Sequence, residues 1–332
     1  LFLSILFKTV VIDMELWLKI ASVLVVVVVL ASSFYFINAY MSNDSPENIV
    51  VGVELNDHSA AFWVALDKGY FDEAGLKIDY KTFSTGLELA VALSRGEFDL
   101  ILACIGPVMV MYSRGVPVKL VAMTHLNGYA LVSWRNISSV YELSNAKVSA
   151  TGPGSPTWLL AMMVRDRYGL NFTLTKMPPY IAVNALLSHQ IDAAFIPEHY
   201  ATLAVKLGAY RVLTSRDLWP NMPGSGVFAT DKLLRKHPEI VAKFLYALNK
   251  AVEFIKAHPH EAAVIVAKHL ATSSDIMEES MKYLDYTLKI NKTALKEYSE
   301  LLQRYGAIDH EINLDEFIYT GILSDLGINN ED

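Results

Sequence analysis

AVALSRGEFDLILACIGP, residues 90–107, reads as a helix ending in Leu-Ser, a tight turn, an Asp, a buried strand and a Pro-containing loop. A second stretch, AVNALLSHQIDAAFIPEHY at residues 182–200, repeats that order. The same module met twice in one chain predicts two lobes built alike. Outward from the first copy, residues 49–55 (IVVGVEL) read as a short buried strand. A polar loop follows at 56–59, then a helix over 60–68 that Gly69 ends. Residues 76–83 alternate as a second strand, Ser84-Thr85-Gly86 can cap the helix over 87–94, and residues 99–104 form a third strand. Strands alternating with helices predict a largely parallel sheet.

Between the two copies, a strand over 147–151 runs into the loop GPGSPT at 152–157 and then a helix to about residue 168. Ser155 suits the N-cap and Pro156 the first helical position. Free backbone N–H groups there could hold an anionic or carbonyl group, although an ordinary capped helix start reads the same way. From residue 230 the pattern turns helical, over about 231–257, 261–270, 274–289, 293–305 and 314–326.

Composition narrows the function classes. The chain has 332 residues, a net charge of −7, 53% hydrophobic and 19% charged residues. That balance is globular and argues against a nucleic-acid surface. A lone cysteine, Cys104, leaves no internal disulfide and no thiolate-rich zinc or iron–sulfur site within one chain. His258, His260, Glu261 and His269 suggest a metal cluster, but Ala262-Ala263-Val264 after Glu261 breaks the H-E-x-x-H spacing, and capping explains them better. No metal and no cofactor is expected.

Residues 16–37, LWLKIASVLVVVVVLASSFYFI, are long and apolar enough to cross a bilayer. Lys8 and Lys19 precede the core of the run, while Asp44 and Glu47 follow it, which orients the bulk of the chain outside. The segment is expected to be a transmembrane anchor, or a signal peptide cleaved near Ala31-Ser32-Ser33. The division read from the sequence is an N-terminal extension at 1–15, with Met14 as the natural start, the anchor or signal segment at 16–37 and a linker at 38–48. Lobe 1 is expected at 49–127, lobe 2 at 128–222, and a return to lobe 1 with C-terminal helices at 223–332. The localisation that follows is the extracellular face of a cell membrane, held by a single anchor, or secreted or periplasmic if cleaved.

Several short stretches in fixed order carry a resemblance. They are DKGYFDEAGL at 67–76, LSRGEFD at 93–99, RGVPVK at 114–119, TGPGSPT at 151–157, LSHQIDA at 187–193, Pro197-Glu198 and His237-Pro238-Glu239. Together they resemble the periplasmic-type binding proteins of ABC importers for nitrate, sulfonates, taurine and thiamine pyrimidine precursors. The resemblance implies a type II two-lobed α/β fold, hinge closure over a small ligand in the cleft, permease and ATPase subunits as partners, and a monomeric chain without catalysis. The loop residues expected to bind are Asn56, His58, Ser84, Thr85, Gly86, Ile105, Gly106, Ser155, Thr157 and Glu198, with Trp63, Phe62 or Tyr129 as an aromatic wall. Each has a plainer reading: His58 bonding a backbone carbonyl, Glu198 pairing with an arginine, Trp63 in the core. A carboxylate beside an aromatic wall favours an amine-bearing or heterocyclic ligand, with an organic sulfonate next. The loop Asn56-Asp57-His58-Ser59-Ala60 resembles that of thiamine-pyrimidine binders. The same resemblance extends to pyrimidine synthases, enzymes whose cysteine-rich iron motif this chain lacks. A membrane-anchored sensor is the third reading.

Overall fold

The computed structural model describes residues 47–328. Among them are eleven strands: β1 Glu47–Glu54, β2 Leu76–Phe83, β3 Leu100–Cys104, β4 Val118–Asn127, β5 Tyr129–Ser133, β6 Lys147–Ala150, β7 Thr173–Lys176, β8 Ala193–Pro197, β9 Tyr210–Thr214, β10 Pro223–Thr230 and β11 Leu284–Tyr286. They form two sheets, ordered β11-β4-β10-β3-β1-β2 and β7-β6-β8-β5-β9. β1 lies between β2 and β3, parallel to both, as β6 lies between β7 and β8. β10 pairs antiparallel with β3 and β4, as β5 does with β8 and β9. The two lobes therefore share one strand order, and the two sequence copies end in the equivalent strands β3 and β8. Both strands are buried along all five residues, which is why they read as unbroken apolar runs.

Four strands of each sheet run in one direction, as the alternation of strands and helices had suggested, while β10 and β11 in the first sheet and β5 in the second run against them. β10 enters the first sheet on a return from the second lobe, and β5 enters the second on the way out. A strand arriving across a short crossover, without a covering helix, can lie antiparallel to its neighbour. The outward crossover is Asn127-Gly128, both at positive φ, and the return runs over residues 215–222. The two are bonded to each other by the Asn127 N–H donating to the Met222 carbonyl at 2.8 Å. β11, in the stretch that reads from sequence as helix, braces the outward one by pairing Leu284 with Asn127.

Helices cover both sheets. Pro238–Ala257 buries Val241, Phe244, Leu245, Leu248 and Val252 at helical spacing, and Phe244 stacks on Phe71 at 5.0 Å. Each such side chain taken out of water stabilises the lobe by roughly 2 kcal/mol. Pro238 separates this helix from Asp231–Lys236, because a proline interrupts the backbone hydrogen bonding of a continuous helix.

The transmembrane or signal helix expected over 16–37 lies outside the described residues. Among the described residues no helix is long and apolar enough to cross a membrane. The fold is corrected accordingly to the two-lobed α/β module, and the single-anchor localisation that rested on that helix is withdrawn with it.

Candidate functional site

The strand ends of both lobes converge on one cavity. Lobe 1 contributes Glu54 at the end of β1, Cys104 at the end of β3, Thr85-Gly86-Leu87 where helix Gly86–Ser94 begins, and Pro107 in helix Ile105–Ser113. From lobe 2 come Tyr129 at the start of β5, Thr151 after β6, Ser155-Pro156-Thr157 where helix Pro156–Tyr168 begins, Pro179, and Pro197 at the end of β8. This is the crevice outside the carboxyl ends of parallel strands, where open α/β sheets place their ligands. Its water-accessible volume is about 20 Å³, room for about one water, so the lobes are drawn together. Gly106 and Gly154 bring them into backbone contact: a Cβ on Gly106 would collide with the Gly154 carbonyl.

The cavity carboxylate is Glu54, only 5% exposed. Its Oε2 accepts from the Cys104 backbone N–H at 3.2 Å and from the Cys104 thiol at 3.0 Å. Burial, and then the Glu54 charge, push the Cys104 thiol well above its ordinary range, so it stays a protonated donor. The Tyr129 hydroxyl lies 3.5 Å from that sulfur, and Ser225 donates to it at 3.7 Å. Among the described residues, Oε1 of Glu54 makes no hydrogen bond. Sequence reasoning missed Glu54, although a charge closing a run of β-branched core residues was a visible signal.

Of the residues singled out from sequence, Thr85, Gly86, Tyr129, Ser155 and Thr157 line the cavity. Thr85 caps its helix by accepting from the Glu88 N–H, and Ser155 accepts from the Trp158 N–H while donating to the Gly152 carbonyl. Thr157 Oγ1 accepts from the Thr151 N–H at 3.1 Å, which ties the loop to the helix start. Ile105 and Gly106, buried in the first turn of helix Ile105–Ser113, are not among the residues lining the cavity, and Ser84 is exposed. Asn56 is buried and accepts from the His58 N–H. His58 sits behind Tyr129: its Nε2 donates to the Gly128 carbonyl at 3.1 Å, and its ring lies 4.9 Å from Tyr129 and 4.3 Å from His125. Burial lowers the pKa of both histidines and favours neutral rings. Trp63 is in the lobe 1 core, stacked on His269 at 4.7 Å, and Phe62 packs beside it. Outside the cavity, His260 pairs with Glu278 and His269 with Asp67.

Glu198 is fully buried, but its carboxylate is held by Arg211 at 2.6 Å and by the Thr202 hydroxyl at 3.0 Å. Burial raises its pKa to about 7 against the pull of the guanidinium. Beside it, Asp57 of lobe 1 meets His199 of lobe 2 at 3.1 Å and accepts from Ser280 at 2.7 Å. Burial opposes the Asp57 charge, yet His199, His58 and Ser280 outweigh it and hold the carboxyl at about 2. The Asp57–His199 pair joins the two lobes, whereas Glu198, Thr202 and Arg211 pair within lobe 2.

Residues 56–262 match the family model described as NMT1/THI5 like. The chain belongs to the NMT1/THI5-like family. Solved structures with the same fold include the ligand-binding component of an ABC-type import system from Staphylococcus aureus, with a TM-score of 0.77 and 19% identity over 85% of this chain and 100% of that one. The periplasmic aliphatic sulphonate binding protein of Escherichia coli gives 0.72 and 18% over 83% and 93%. The periplasmic nitrate-binding protein of Synechocystis PCC 6803 gives 0.76 and 14% over 85% and 89%. At these identities the likeness establishes the fold alone.

Proposed function

We propose that this protein is the extracytoplasmic substrate-binding component of an ABC importer, capturing a small molecule between its lobes and presenting it to permease and ATPase subunits. The observation that carries the reading is a cavity walled by strand ends from both lobes, beside the two crossovers that connect them. Two lobes that meet in backbone contact at Gly106 and Gly154 must part to admit a ligand, and paired crossovers are the natural hinge. Family membership supports the same role. The ligand classes in play are aminopyrimidine-like heterocycles and organic sulfonates, taurine or nitrate.

Thermal unfolding against a panel of those compounds tests the proposal. A ligand at a hundred times its dissociation constant adds about 2.7 kcal/mol, and a protein this size gains roughly 2–4 °C per kcal/mol. The expected result is a midpoint rise of roughly 5 °C or more with one class, accompanied by a smaller radius of gyration in solution. A folded, ligand-free protein that responds to no compound in either measurement would count against the importer role.

A further inference from the structure

Among the residues lining the cavity one is acidic, Glu54, and none is lysine, arginine or histidine. Among the described residues, Glu54 is the buried carboxylate without an ion pair: Glu198 has Arg211, and Asp57 has His199. Its Oε2 is engaged by the two Cys104 donors, while Oε1 is left with no hydrogen bond among the described residues. Gly86 packs so closely that a Cβ there would lie 2.9 Å from Oε2, which fixes the carboxylate against lobe 1. A buried charge is retained at a site when something pairs with it. Here His58 feels the Glu54 charge, but burial favours its neutral ring and its Nε2 donates to the Gly128 carbonyl, and no ion pair to Glu54 is found among the described residues.

We infer that the bound molecule supplies the missing partner: a small ligand presenting an ammonium, amidinium or N–H-rich edge to Glu54 Oε1. A compound whose only polar group is an anion, such as an alkyl sulfonate or nitrate, is excluded from this position by the same carboxylate. The helix starts at Gly86 and Pro156 offer partial positive charge, which falls off within a turn and does not replace a full counter-charge beside Glu54. The inference rests on the importer reading and narrows it to ligands that carry a donor.

Two matched pairs test it with the full chain: pyrimidine against 4-aminopyrimidine, and ethanesulfonate against taurine, each pair differing by one amino group. Affinities are measured by calorimetry for the wild type, Glu54→Gln and Glu54→Asp, with circular dichroism melts to verify folding. The expected result is a preference of about tenfold or more for the amino member of the pair that binds, abolished in Glu54→Gln and retained in Glu54→Asp. Equal or tighter binding of the amine-free member in the wild type overturns the inference and leaves the importer reading intact. A preference that survives in Glu54→Gln overturns it too, because the carboxylate is then not its source. If no member of either pair binds the folded wild type, the inference fails together with the substrate classes of the importer reading.

Discussion

Asp57 is fully buried and keeps its charge because its carboxylate is met by partners from separate places in the chain. His199 arrives from lobe 2, Ser280 donates from a C-terminal helix, and His58 lies beside it, while Tyr286 donates to the Asp57 backbone carbonyl at 3.0 Å. Its carboxyl titrates near 2 when folded and at 3.8 when free, so between those values the unfolded chain binds more protons. Stability from this group is complete above about pH 4 and is lost as pH falls towards 2, a contribution of about 2 kcal/mol. Asp57→Asn is expected to lose about that much in urea unfolding at pH 7, with the gap to wild type closing below pH 3. A gap that stays constant down to pH 2.5, to take one trial point at about that acidity, would assign the loss to hydrogen bonding instead of charge. At this scale the sequence was partly legible. Thr85 and Ser155 were readable as helix caps because capping depends on neighbours a few residues away. The carboxylate was sought at Glu198, whose carboxyl group is held by Arg211, a residue on β9. That pairing depends on how β9 lies beside β5, which local pattern does not encode. Glu54 differs in being local: its place at the end of a buried strand could be read directly.

Between elements, the lobes touch where two glycines face each other. Gly106 lies in the first turn of helix Ile105–Ser113, and Gly154 lies in the loop before helix Pro156–Tyr168, with Val110 Cγ2 2.9 Å from where a Cβ of Gly154 would sit. A methyl group at Gly106 would meet the Gly154 carbonyl, part of the backbone of the other lobe, and the Tyr298 hydroxyl at 2.8 Å. A backbone carbonyl cannot rotate away as a side chain can, so the lobes must stand apart. Gly106→Ala should therefore weaken ligand binding by about tenfold or more. Stability of the unliganded protein should change little, since the helix gains about 1 kcal/mol from alanine while Tyr298 is displaced. Calorimetry with the ligand found by the panel, alongside melts of the unliganded protein, separates the two effects. Unchanged affinity would show that full contact at these glycines is not needed to hold the ligand. Gly154 was legible as a loop residue and β3 and β8 as buried strands, whereas Gly106, read as loop, lies in the first turn of a helix. Their apposition was not, because it depends on the rotation of one lobe against the other. β11 was hidden for a related reason: three residues pairing with β4 leave too short a signal within a helical stretch.

For the molecule as a whole, the proposed closure of two lobes with separate sheets would turn on the crossovers that connect them. The outward crossover is short: Asn127 ends β4, Gly128 follows and Tyr129 begins β5. Both crossover residues are left-handed, a conformation asparagine tolerates and glycine adopts freely. The site around Gly128 is also full, with a Cβ there reaching Leu284 Cγ at 2.8 Å and His58 Nε2 at 3.4 Å. Asn127 is tied to β11 through Asp285 at 2.6 Å, and Asp285 also pairs with Arg216 of the return crossover at 2.9 Å. The crossover region is thus one braced unit, and β11 is the brace. Gly128→Ala should cost the left-handed strain of about 1–2 kcal/mol and a further displacement of Leu284 and His58. Gly115→Ala is the matched control, since Gly115 is also left-handed, at φ 90°, with nothing within 4 Å of its Cβ. The Gly128 variant is expected to melt lower than the Gly115 variant by several degrees, at roughly 2–4 °C per kcal/mol, and to bind ligand more weakly. The Gly115 variant should bind as the wild type does. Equal melting losses would mean that Leu284 and His58 yield without cost. Wild-type affinity in Gly128→Ala would show that lobe closure does not depend on the geometry of this crossover, and the hinge would then have to be sought in the return segment over 215–222.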